Sequence, residues 1–193
     1  LIDDQHARLA GEDELRERAE AGEEDALAEE RRALEEQAGT ADAVRSARSE
    51  LDGEFSVLNG DNLYDTDSIT DLFSNGPALA TSRVESPSNY GVVSVSDEIV
   101  TDIVEKPDDP PTNLANTGAY VFPEDALAYL DVPKSQRGEY EITDVVARVI
   151  DEYEVTPVEL KRWKDVGRPW ELLEANELVL ADIERRIRGS VSD

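Results

Sequence analysis

Two aspartates occupy positions from which an α/β protein could hold a metal ion. Asp61 comes shortly after the apolar segment Phe55–Leu58, and Asp165 follows a second apolar segment, Val155–Leu160. In an open α/β sheet, ligands bind beyond the carboxyl ends of the strands, and Mg²⁺ takes one or two protein carboxylates together with phosphate oxygens and water. The two aspartates therefore predict a Mg²⁺ site beside a phosphate. The alternative is two unrelated loop acids, because 46 residues of the chain are acidic.

Two further polar groups stand at predicted strand ends. Glu105 and Lys106 close an otherwise apolar segment, where the lysine could neutralise a phosphate and the glutamate could accept hydrogen bonds from hydroxyl groups. Lysine is rare in this chain, which favours a specific task over a plain surface ion pair. Asn116-Thr117-Gly118 offers an amide, a hydroxyl and a closely approachable backbone to a polar ligand, although a simple turn uses the same residue types.

The residue inventory argues against several catalytic classes. The chain has no cysteine and a single histidine, His6, in a polar stretch, which argues against zinc sites and against Ser–His or Cys–His triads. Neither a G-x-x-x-x-G-K-[ST] loop nor a G-x-G-x-x-G run occurs in the sequence.

The charge balance restricts the partners. In 193 residues, 46 acidic and 19 basic side chains give a formal net charge of −27, which repels nucleic-acid backbones and anionic lipid. No apolar run approaches the roughly 18 residues that a membrane span needs, so neither nucleic-acid nor membrane partners are expected. Only four of the basic residues are lysines. This acidity predicts adaptation to high salt, with an acidic mesophilic protein as the alternative.

The elements that must position these residues alternate between strand and helix patterns, which is typical of an α/β sheet with helical cover. The predicted strands span 55–58, 78–84, 91–95, 99–104, 118–122 and 155–160. The predicted helices span 41–51, 68–73, 123–130, 144–151 and an amphipathic 169–188. Thr40 and Thr143 are the predicted caps of their helices, and 106–116 is a predicted surface loop.

Composition divides the chain near residue 53. Residues 1–54 contain no aromatic side chain, and all eleven aromatic residues lie beyond them. The segment 12–36 is dominated by strong helix formers, but its few apolar residues are mostly alanine, so a solvated or partner-dependent helix is expected. A coiled-coil interaction protein is the rival interpretation, and the sparse apolar stripe argues against it.

Taken in order, seven short motifs resemble those of the sugar-1-phosphate nucleotidylyltransferases, the family that makes nucleotide sugars such as dTDP-glucose and UDP-N-acetylglucosamine. Each motif is weak by itself, but together they keep the family's order and spacing over residues 35–176. The resemblance places the nucleotidyltransferase core at 35–188. The motifs are Glu35–Ala41, Val57–Asp61, Asn89–Val93, Ile103–Pro107, Asn116–Tyr120, Gly138–Asp144 and Trp163–Gly167.

The resemblance implies a Rossmann-like mixed sheet with helices on both faces, the nucleotide-diphospho-sugar transferase fold. It also implies attack by a sugar-1-phosphate oxygen on the α-phosphorus of a nucleoside triphosphate, dTTP or UTP, with pyrophosphate leaving in line. By resemblance, Asp61 and Asp165 hold Mg²⁺ and form the catalytic group together with Lys106. The residues implied in substrate binding are Gly39 and Thr40 on the nucleotide side, Asp61, and, on the sugar side, Tyr90, Gly91, Glu105, Lys106, Asn116, Thr117 and Gly118.

Two departures from the family pattern bear on activity. The family opens with a Gly-rich, Arg-containing loop that has no match in residues 1–34, and Leu34 stands where a base-reading glutamine is expected. We therefore expect an N-terminally incomplete chain that is inactive by itself, with residues 1–34 an acidic helical segment of uncertain origin. The absence of methionine agrees with a processed or partial chain. Residues 189–193 resemble the start of a β-helix domain.

The preferred interpretation is a cytoplasmic enzyme similar to the glucose-1-phosphate thymidylyltransferases of haloarchaea. Its expected partners are a nucleoside triphosphate and a sugar-1-phosphate, and the resemblance is compatible with a homo-oligomer. The alternative is a non-catalytic sugar-phosphate-binding or regulatory subunit of the same fold, which would have kept the sugar site and lost the triphosphate loop.

Overall fold

The computed structural model of the chain describes residues 38–181. The predicted acidic helix before residue 35, the end of the last predicted helix after residue 181 and the predicted β-helix start at 189–193 lie outside the described residues. The described part forms two compact units. Unit one consists of 38–55 and 123–153, and unit two consists of 56–122 and 154–181.

The strands and helices follow one another in a mixed order along the chain. The strands are β1 (Phe55–Leu58), β2 (Asn62–Tyr64), β3 (Ala78–Arg83), β4 (Gly91–Ser96), β5 (Ile99–Glu105), β6 (Leu114–Phe122), β7 (Thr156–Glu159) and β8 (Trp163–Asp165). The helices are α1 (Thr40–Ser46), α2 (Thr66–Phe73), α3 (Ile142–Glu152) and α4 (Pro169–Ala181), with 3-10 turns at Arg48–Glu50, Pro87–Asn89 and Glu124–Tyr129.

The main sheet has six strands in the order β5-β4-β6-β3-β7, and β1 pairs with β6 beside this path. β3 runs parallel to β7 and antiparallel to β6, so the sheet is mixed, which confirms the predicted fold class. A separate two-stranded ribbon joins β2 to β8. Among the described residues, no helix is both long and apolar enough to cross a bilayer.

The strand β6 lies at the centre of the main sheet, between β4 and β3. Every residue of this strand except Asn116 is buried, because it has neighbouring strands along both edges. One core cluster includes Ala119 and Val121 of β6, Ala78 and Ala80 of β3, Leu72 of α2 and Leu160 after β7. The small side chains of the strands let the helix approach the sheet closely.

The β4–β5 hairpin matches its prediction. Gly91–Ser96 and Ile99–Glu105 pair antiparallel, as the two apolar segments around a short polar turn indicated. The turn residues Asp97 and Glu98 both have positive φ, at 51° and 65°. Such backbone angles belong to the type I′ turn, whose twist matches that of the paired strands.

The helix starts of unit one differ from their predictions. The N-cap of α1 is Gly39 rather than Thr40, and the N-cap of α3 is Glu141 rather than Thr143. The Thr40 hydroxyl accepts a hydrogen bond from the amide of Ile142 at 3.0 Å, so it serves the start of α3 instead of its own helix. The predicted helix after Pro123 is a 3-10 turn, Glu124–Tyr129.

The last helix also differs from the amphipathic pattern predicted for it. In α4 only Ala175 is buried, and its large apolar side chains lie exposed on several sides. A single apolar stripe is therefore the wrong description of this helix. The exposed residues are Trp170, Leu172, Leu173, Leu178, Val179 and Leu180.

Candidate functional site

The β2–β8 ribbon brings the two predicted metal-binding aspartates together. Its register pairs Asn62 with Asp165 and Tyr64 with Trp163, and the amide of Val166 donates to the carbonyl oxygen of Asp61 at 2.9 Å. Side chains alternate between the two faces of a strand. Asn62, Tyr64, Trp163 and Asp165 therefore share one face of the ribbon. Leu63 and Lys164 take the other face, where they line a small cavity of about 80 Å³ with residues of α4.

The electrostatics at Asp165 favour a bound cation. Burial raises the pKa of the Asp165 carboxyl, and the neighbouring carboxylates of Asp61 and Glu171 raise this pKa further. Lys164 and Lys106 lower it in part. Because like charges so close together disfavour ionisation, a divalent cation would relieve the repulsion.

The carboxylates of Asp61 and Asp165 fit a Mg²⁺ ion that is bound together with a substrate phosphate. No group of three or more His, Cys, Asp or Glu side chains gathers as a metal cage anywhere in residues 38–181. Mg²⁺ is commonly held by one or two carboxylates plus substrate phosphates and water. Asp61 and Asp165 meet that requirement, and phosphate oxygens would complete it.

The predicted sugar-side residues of the hairpin lie at one end of β4 and β5. Gly91 is paired with Glu105 in the β4–β5 ladder, and the amide of Lys106 donates to the carbonyl of Tyr90 at 3.1 Å. The Lys106 Nζ lies 3.8 Å from the Glu105 carboxylate, and 44% of the lysine side chain is exposed. An accessible cation and a carboxylate are thus held side by side on a rigid hairpin.

The predicted polar-ligand residues Asn116-Thr117-Gly118 form a bulge inside β6. Between the pairs Leu79↔Tyr120 and Thr81↔Asn116, the register advances two residues on β3 and four on β6. Gly118 adopts φ 75°. Bulges often lie beside active sites, where they redirect a strand and its side chains. The sequence analysis began this strand at Gly118, whereas β6 begins at Leu114 and contains all three residues.

Side chains within the bulge mostly support the bulge itself. The Thr117 hydroxyl is buried and donates to the carbonyl of Ala80 at 2.9 Å. The Asn116 amide group donates to the Tyr120 hydroxyl at 2.7 Å, and its oxygen accepts from the amide of Gly118 at 3.1 Å. Thr117 therefore stabilises the sheet through its side chain, while half-buried Asn116 fixes the path of the backbone.

Tyr64 secures the same bulge from the ribbon. Its hydroxyl donates to the carbonyl oxygens of Thr117 and Gly118, at 3.0 and 3.2 Å. Burial is the largest cause that raises the pKa of Tyr64 well above its usual value, so this hydroxyl stays protonated and remains a donor. The ribbon that carries the aspartates is thus tied to the predicted sugar-binding bulge.

Gly39 and Thr40, predicted for the nucleotide side, belong to unit one. Gly39 adopts φ 117°, and a Cβ there would come within 2.4 Å of the Tyr140 carbonyl. The amide of Tyr140 donates to Ala38, and its carbonyl accepts from Ala41. This close backbone contact requires glycine at residue 39 and explains the local sequence without any ligand.

The sequence analysis missed three residues that support the site: Asn62, Tyr64 and Trp163. Asn62 directly follows the motif Val57–Asp61, and Trp163 is the first residue of the motif Trp163–Gly167, which was the available signal. Their contacts connect segments about a hundred residues apart, and a pattern within either segment could not reveal the pairing.

Comparisons with known proteins establish the family of the chain. Unit two is a mixed α/β unit in which two acids lie near each other at the ribbon and an exposed lysine lies at the end of a hairpin. A family model described as nucleotidyl transferase matches residues 1–182, and the chain belongs to this family. The matched range includes residues 1–34, which contain none of the seven family motifs.

Similar proteins with known names support the same family. The chain is 38% identical over 158 residues to the bifunctional protein GlmU of Methanocaldococcus jannaschii, covering 80% of the chain and 38% of that protein. It is 40% identical over 154 residues to the low-salt glycan biosynthesis nucleotidyltransferase Agl11 of Haloferax volcanii, covering 74% and 42%. The chain thus spans about two fifths of the length of these relatives.

Solved structures share the fold. A Bacillus anthracis protein assigned as a glucose-1-phosphate thymidylyltransferase, in complex with a sucrose, has a TM-score of 0.65 and 26% identity, covering 79% of this chain and 65% of that one. A UDP-glucose pyrophosphorylase complexed with UDP-glucose has a TM-score of 0.66 at 23% identity, covering 77% and 64%. The second likeness supports the fold alone.

Proposed function

We propose that the complete protein transfers a nucleotidyl group from a nucleoside triphosphate, dTTP or UTP, to a sugar-1-phosphate. The products are a nucleotide sugar and pyrophosphate. The observation that carries this proposal is the proximity of Asp61 and Asp165 at one end of the β2–β8 ribbon, where Asn62 pairs with Asp165 and the Val166 amide donates to the Asp61 carbonyl. Family membership and the names of the relatives support the same activity.

The reaction needs positioning and charge neutralisation more than a covalent nucleophile. A phosphate oxygen of the sugar-1-phosphate forms a bond to the α-phosphorus, and the bond from that phosphorus to the bridging oxygen of pyrophosphate breaks. Negative charge moves onto the leaving pyrophosphate. A site for this reaction must therefore hold two anionic substrates close together and compensate for their charge.

Asp61 and Asp165 are proposed to hold Mg²⁺ jointly with substrate phosphates. When bound, Mg²⁺ supplies positive charge that neutralises the phosphates and orients them. The two carboxylates would hold it jointly, because Asp165 lies on β8 and Asp61 directly precedes β2, its partner strand. Burial first, and then the charges of Asp61 and Glu171, raise the pKa of Asp165, and a bound cation would offset the repulsion between the carboxylates.

The hairpin end is proposed to bind the sugar-1-phosphate. Exposed Lys106 would neutralise its phosphate, while Glu105 would accept hydrogen bonds from sugar hydroxyls. Tyr90 and Gly91 would line the sugar, because the Lys106 amide bonds directly to Tyr90. The bulge at Asn116 and Gly118 would offer its backbone to the same ligand, since its side chains already have partners.

The nucleotide side is proposed to include Gly39 and Thr40. The Thr40 oxygen accepts from the Ile142 amide, and its hydroxyl hydrogen can still be donated to a ligand. For the base, thymine is favoured by the likeness to the thymidylyltransferase-type structure and by the resemblance of the run Asn59–Tyr64 to the corresponding segment of glucose-1-phosphate thymidylyltransferases. Uracil remains the second proposed base.

Two proposals concern the setting of the enzyme. The net charge of −27 with four lysines supports adaptation to high salt, and a nucleotidyltransferase of Haloferax volcanii is among the relatives. A cytoplasmic location is proposed because nucleoside triphosphates are the substrates.

Pyrophosphate release by the complete protein tests the proposed activity. Each of dTTP, UTP, ATP, GTP and CTP would be combined with glucose-1-phosphate or N-acetylglucosamine-1-phosphate in molar KCl with Mg²⁺. We expect release that requires a sugar-1-phosphate and is greatest with dTTP or UTP. Asp61→Asn and Asp165→Asn should each lower kcat by at least about 10²-fold, as loss of preorganised charge stabilisation does.

Asp71→Asn is the matched control, because Asp71 is an exposed acid of α2. It should retain the parent rate. Absence of sugar-dependent release with every nucleotide would overturn the proposal, and binding of sugar-1-phosphate without turnover would point to a non-catalytic subunit. Full rates in both aspartate variants would refute the metal assignment.

A further inference from the structure

Asp61 is held in place by a chain of two side-chain hydrogen bonds. The indole Nε1–H of Trp163 donates to Oδ1 of Asn62 at 2.6 Å. The Asn62 Nδ2 then donates to Oδ1 of Asp61 at 2.8 Å. Asn62 and Trp163 are both half-buried, and Asp61 at the end of the chain of hydrogen bonds is exposed.

The direction of this chain is fixed by its end members. An indole N–H can only donate, and an ionised carboxylate can only accept. The amide of Asn62 must therefore turn its oxygen to Trp163 and its nitrogen to Asp61. An asparagine with both polar atoms engaged has one orientation, whereas a free asparagine side chain rotates among several.

One oxygen of Asp61 is thereby distinguished from the other. Oδ1 receives the Asn62 hydrogen bond, while Oδ2 remains available to a cation. Groups that hydrogen-bond a metal-binding carboxylate fix its orientation, and their loss commonly costs 10- to 100-fold in metal affinity.

We propose that Asn62 and Trp163 are positioning residues that orient Asp61 so that its Oδ2 faces Mg²⁺. This inference rests on the proposed function, because it gives Asp61 the role of metal ligand. It extends that function to two residues that touch neither the reacting phosphates nor the metal. Asn62 acts directly on Asp61, and Trp163 acts through Asn62.

Trp163 also connects this chain to the sugar side. Its ring meets the ring of Tyr90 edge to face, with centroids 5.3 Å apart. Tyr90 in turn accepts the backbone hydrogen bond from Lys106. The same tryptophan therefore supports a proposed sugar-binding residue with its ring and a proposed metal ligand with its N–H.

Metal affinity measured with Mn²⁺ tests the positioning role independently of turnover. Electron paramagnetic resonance of free Mn²⁺ gives the Kd of the complete protein in the presence of dTTP. We expect Asn62→Ala to raise this Kd about tenfold. Trp163→Phe keeps the ring against Tyr90 and removes only the N–H, so it should raise the Kd in the same direction by a smaller factor.

Trp170→Phe is the matched control, since Trp170 is 59% exposed on α4 and should leave the Mn²⁺ Kd unchanged. Calorimetric binding of glucose-1-phosphate without metal provides the second readout. If Asn62 and Trp163 only stabilised the fold, their substitution would weaken sugar-phosphate binding as much as metal binding and would lower Tm. The positioning role leaves sugar-phosphate affinity in Trp163→Phe near that of the parent.

The outcomes separate this inference from the proposed function. If Asp61→Asn abolishes Mn²⁺ binding while Asn62→Ala and Trp163→Phe leave the Kd unchanged, the positioning role is wrong and the metal role of Asp61 stands. If the parent protein fails to bind Mn²⁺ with dTTP, or if Asp61→Asn binds it normally, the proposed metal site is wrong and the positioning role is overturned with it.

Discussion

The side chain of Asn59 occupies the space in which a Cβ on Gly118 would lie. An added Cβ would come within 2.3 Å of the Asn59 Nδ2, and the Asn59 backbone amide donates to the Gly118 carbonyl at 2.8 Å. The turn after β1 and the bulge of β6 therefore fit together only because residue 118 has no side chain. This contact sets the position of Asp61 relative to the bulge.

Replacement of Gly118 by alanine should destabilise the protein through two separate effects. The left-handed backbone at φ 75° costs a non-glycine residue about 1–2 kcal/mol, and the overlap with Asn59 adds about 1–3 kcal/mol. Gly53→Ala is the control, because its φ is 70° but nothing lies within 4 Å of the added Cβ. Urea denaturation should show a larger loss for Gly118→Ala, and equal losses would contradict the close-contact argument.

Tyr64→Phe should loosen the bulge without changing its side chains. The substitution removes the hydroxyl that serves two backbone carbonyls, which costs about 1–3 kcal/mol when the acceptors are partly buried. We expect a higher KM for sugar-1-phosphate with a smaller change in kcat. Tyr153→Phe is the control, since its hydroxyl donates to exposed Asp125, and an equal change in KM there would contradict the role of Tyr64.

Asp65 should make the stability of the α2 region depend on pH. Its carboxylate accepts from the amides of Ser68 at 2.9 Å and Arg162 at 3.1 Å. Burial alone would raise the pKa of Asp65, but these hydrogen bonds and the charge of Lys161 outweigh burial and hold the pKa below its usual value. A lowered folded pKa gives stability that is present above the unfolded value of about 3.9 and is lost as pH falls through the folded pKa.

Asp65→Ala should therefore cost about 1 kcal/mol at pH 7, as the loss of a helix cap does, and progressively less below about pH 4. Chemical denaturation of parent and variant between pH 2 and 7 measures the difference. Asp67→Ala in the same helical turn removes a side chain that is 84% exposed and should show little effect at any pH. A difference between parent and Asp65→Ala that stays constant down to pH 2 would contradict the assignment.

Salt should stabilise the fold. A net charge of −27 repels itself in the compact state, and counterions screen this repulsion. We expect Tm to rise as KCl increases from the millimolar to the molar range. An unchanged midpoint would argue against adaptation to high salt.

Local patterns were sufficient for the elements whose partners are close in sequence. The β4–β5 hairpin could be predicted because both apolar segments and the turn at Asp97 lie within one short stretch. The prediction began the helix α2 at Ser68, two residues after its actual start at Thr66, because it did not recognise Asp65 as the N-cap. Boundaries of this kind depend on single hydrogen bonds such as the one from the Ser68 amide.

The ribbon and the bulge could not be predicted in the same way. β2 and β8 have only three residues each, which is too short for an alternating pattern to be distinguished from a loop. The bulge at Gly118 interrupts a strand of nine residues, of which the sequence analysis assigned the first three to a surface loop and only the last five to a strand. In both cases tertiary contacts, from Trp163 to Asn62 and from Asn59 to Gly118, decide the local structure.

The ribbon also determines when during synthesis the carboxylate pair can form. Asn62 and Trp163 are 101 positions apart, so at 5–20 residues per second the ribosome adds the second strand about 5–20 s after the first. During that interval β4 and β5 can already pair, while Asp165 has not yet been synthesised and Asp61 lacks its neighbouring carboxylate. The electrostatic repulsion between the two acids therefore arises only after the hairpin of the nascent chain has had time to fold. A messenger RNA truncated before the codon for Trp163 would yield a product that has Lys106 of the hairpin but only one of the two carboxylates.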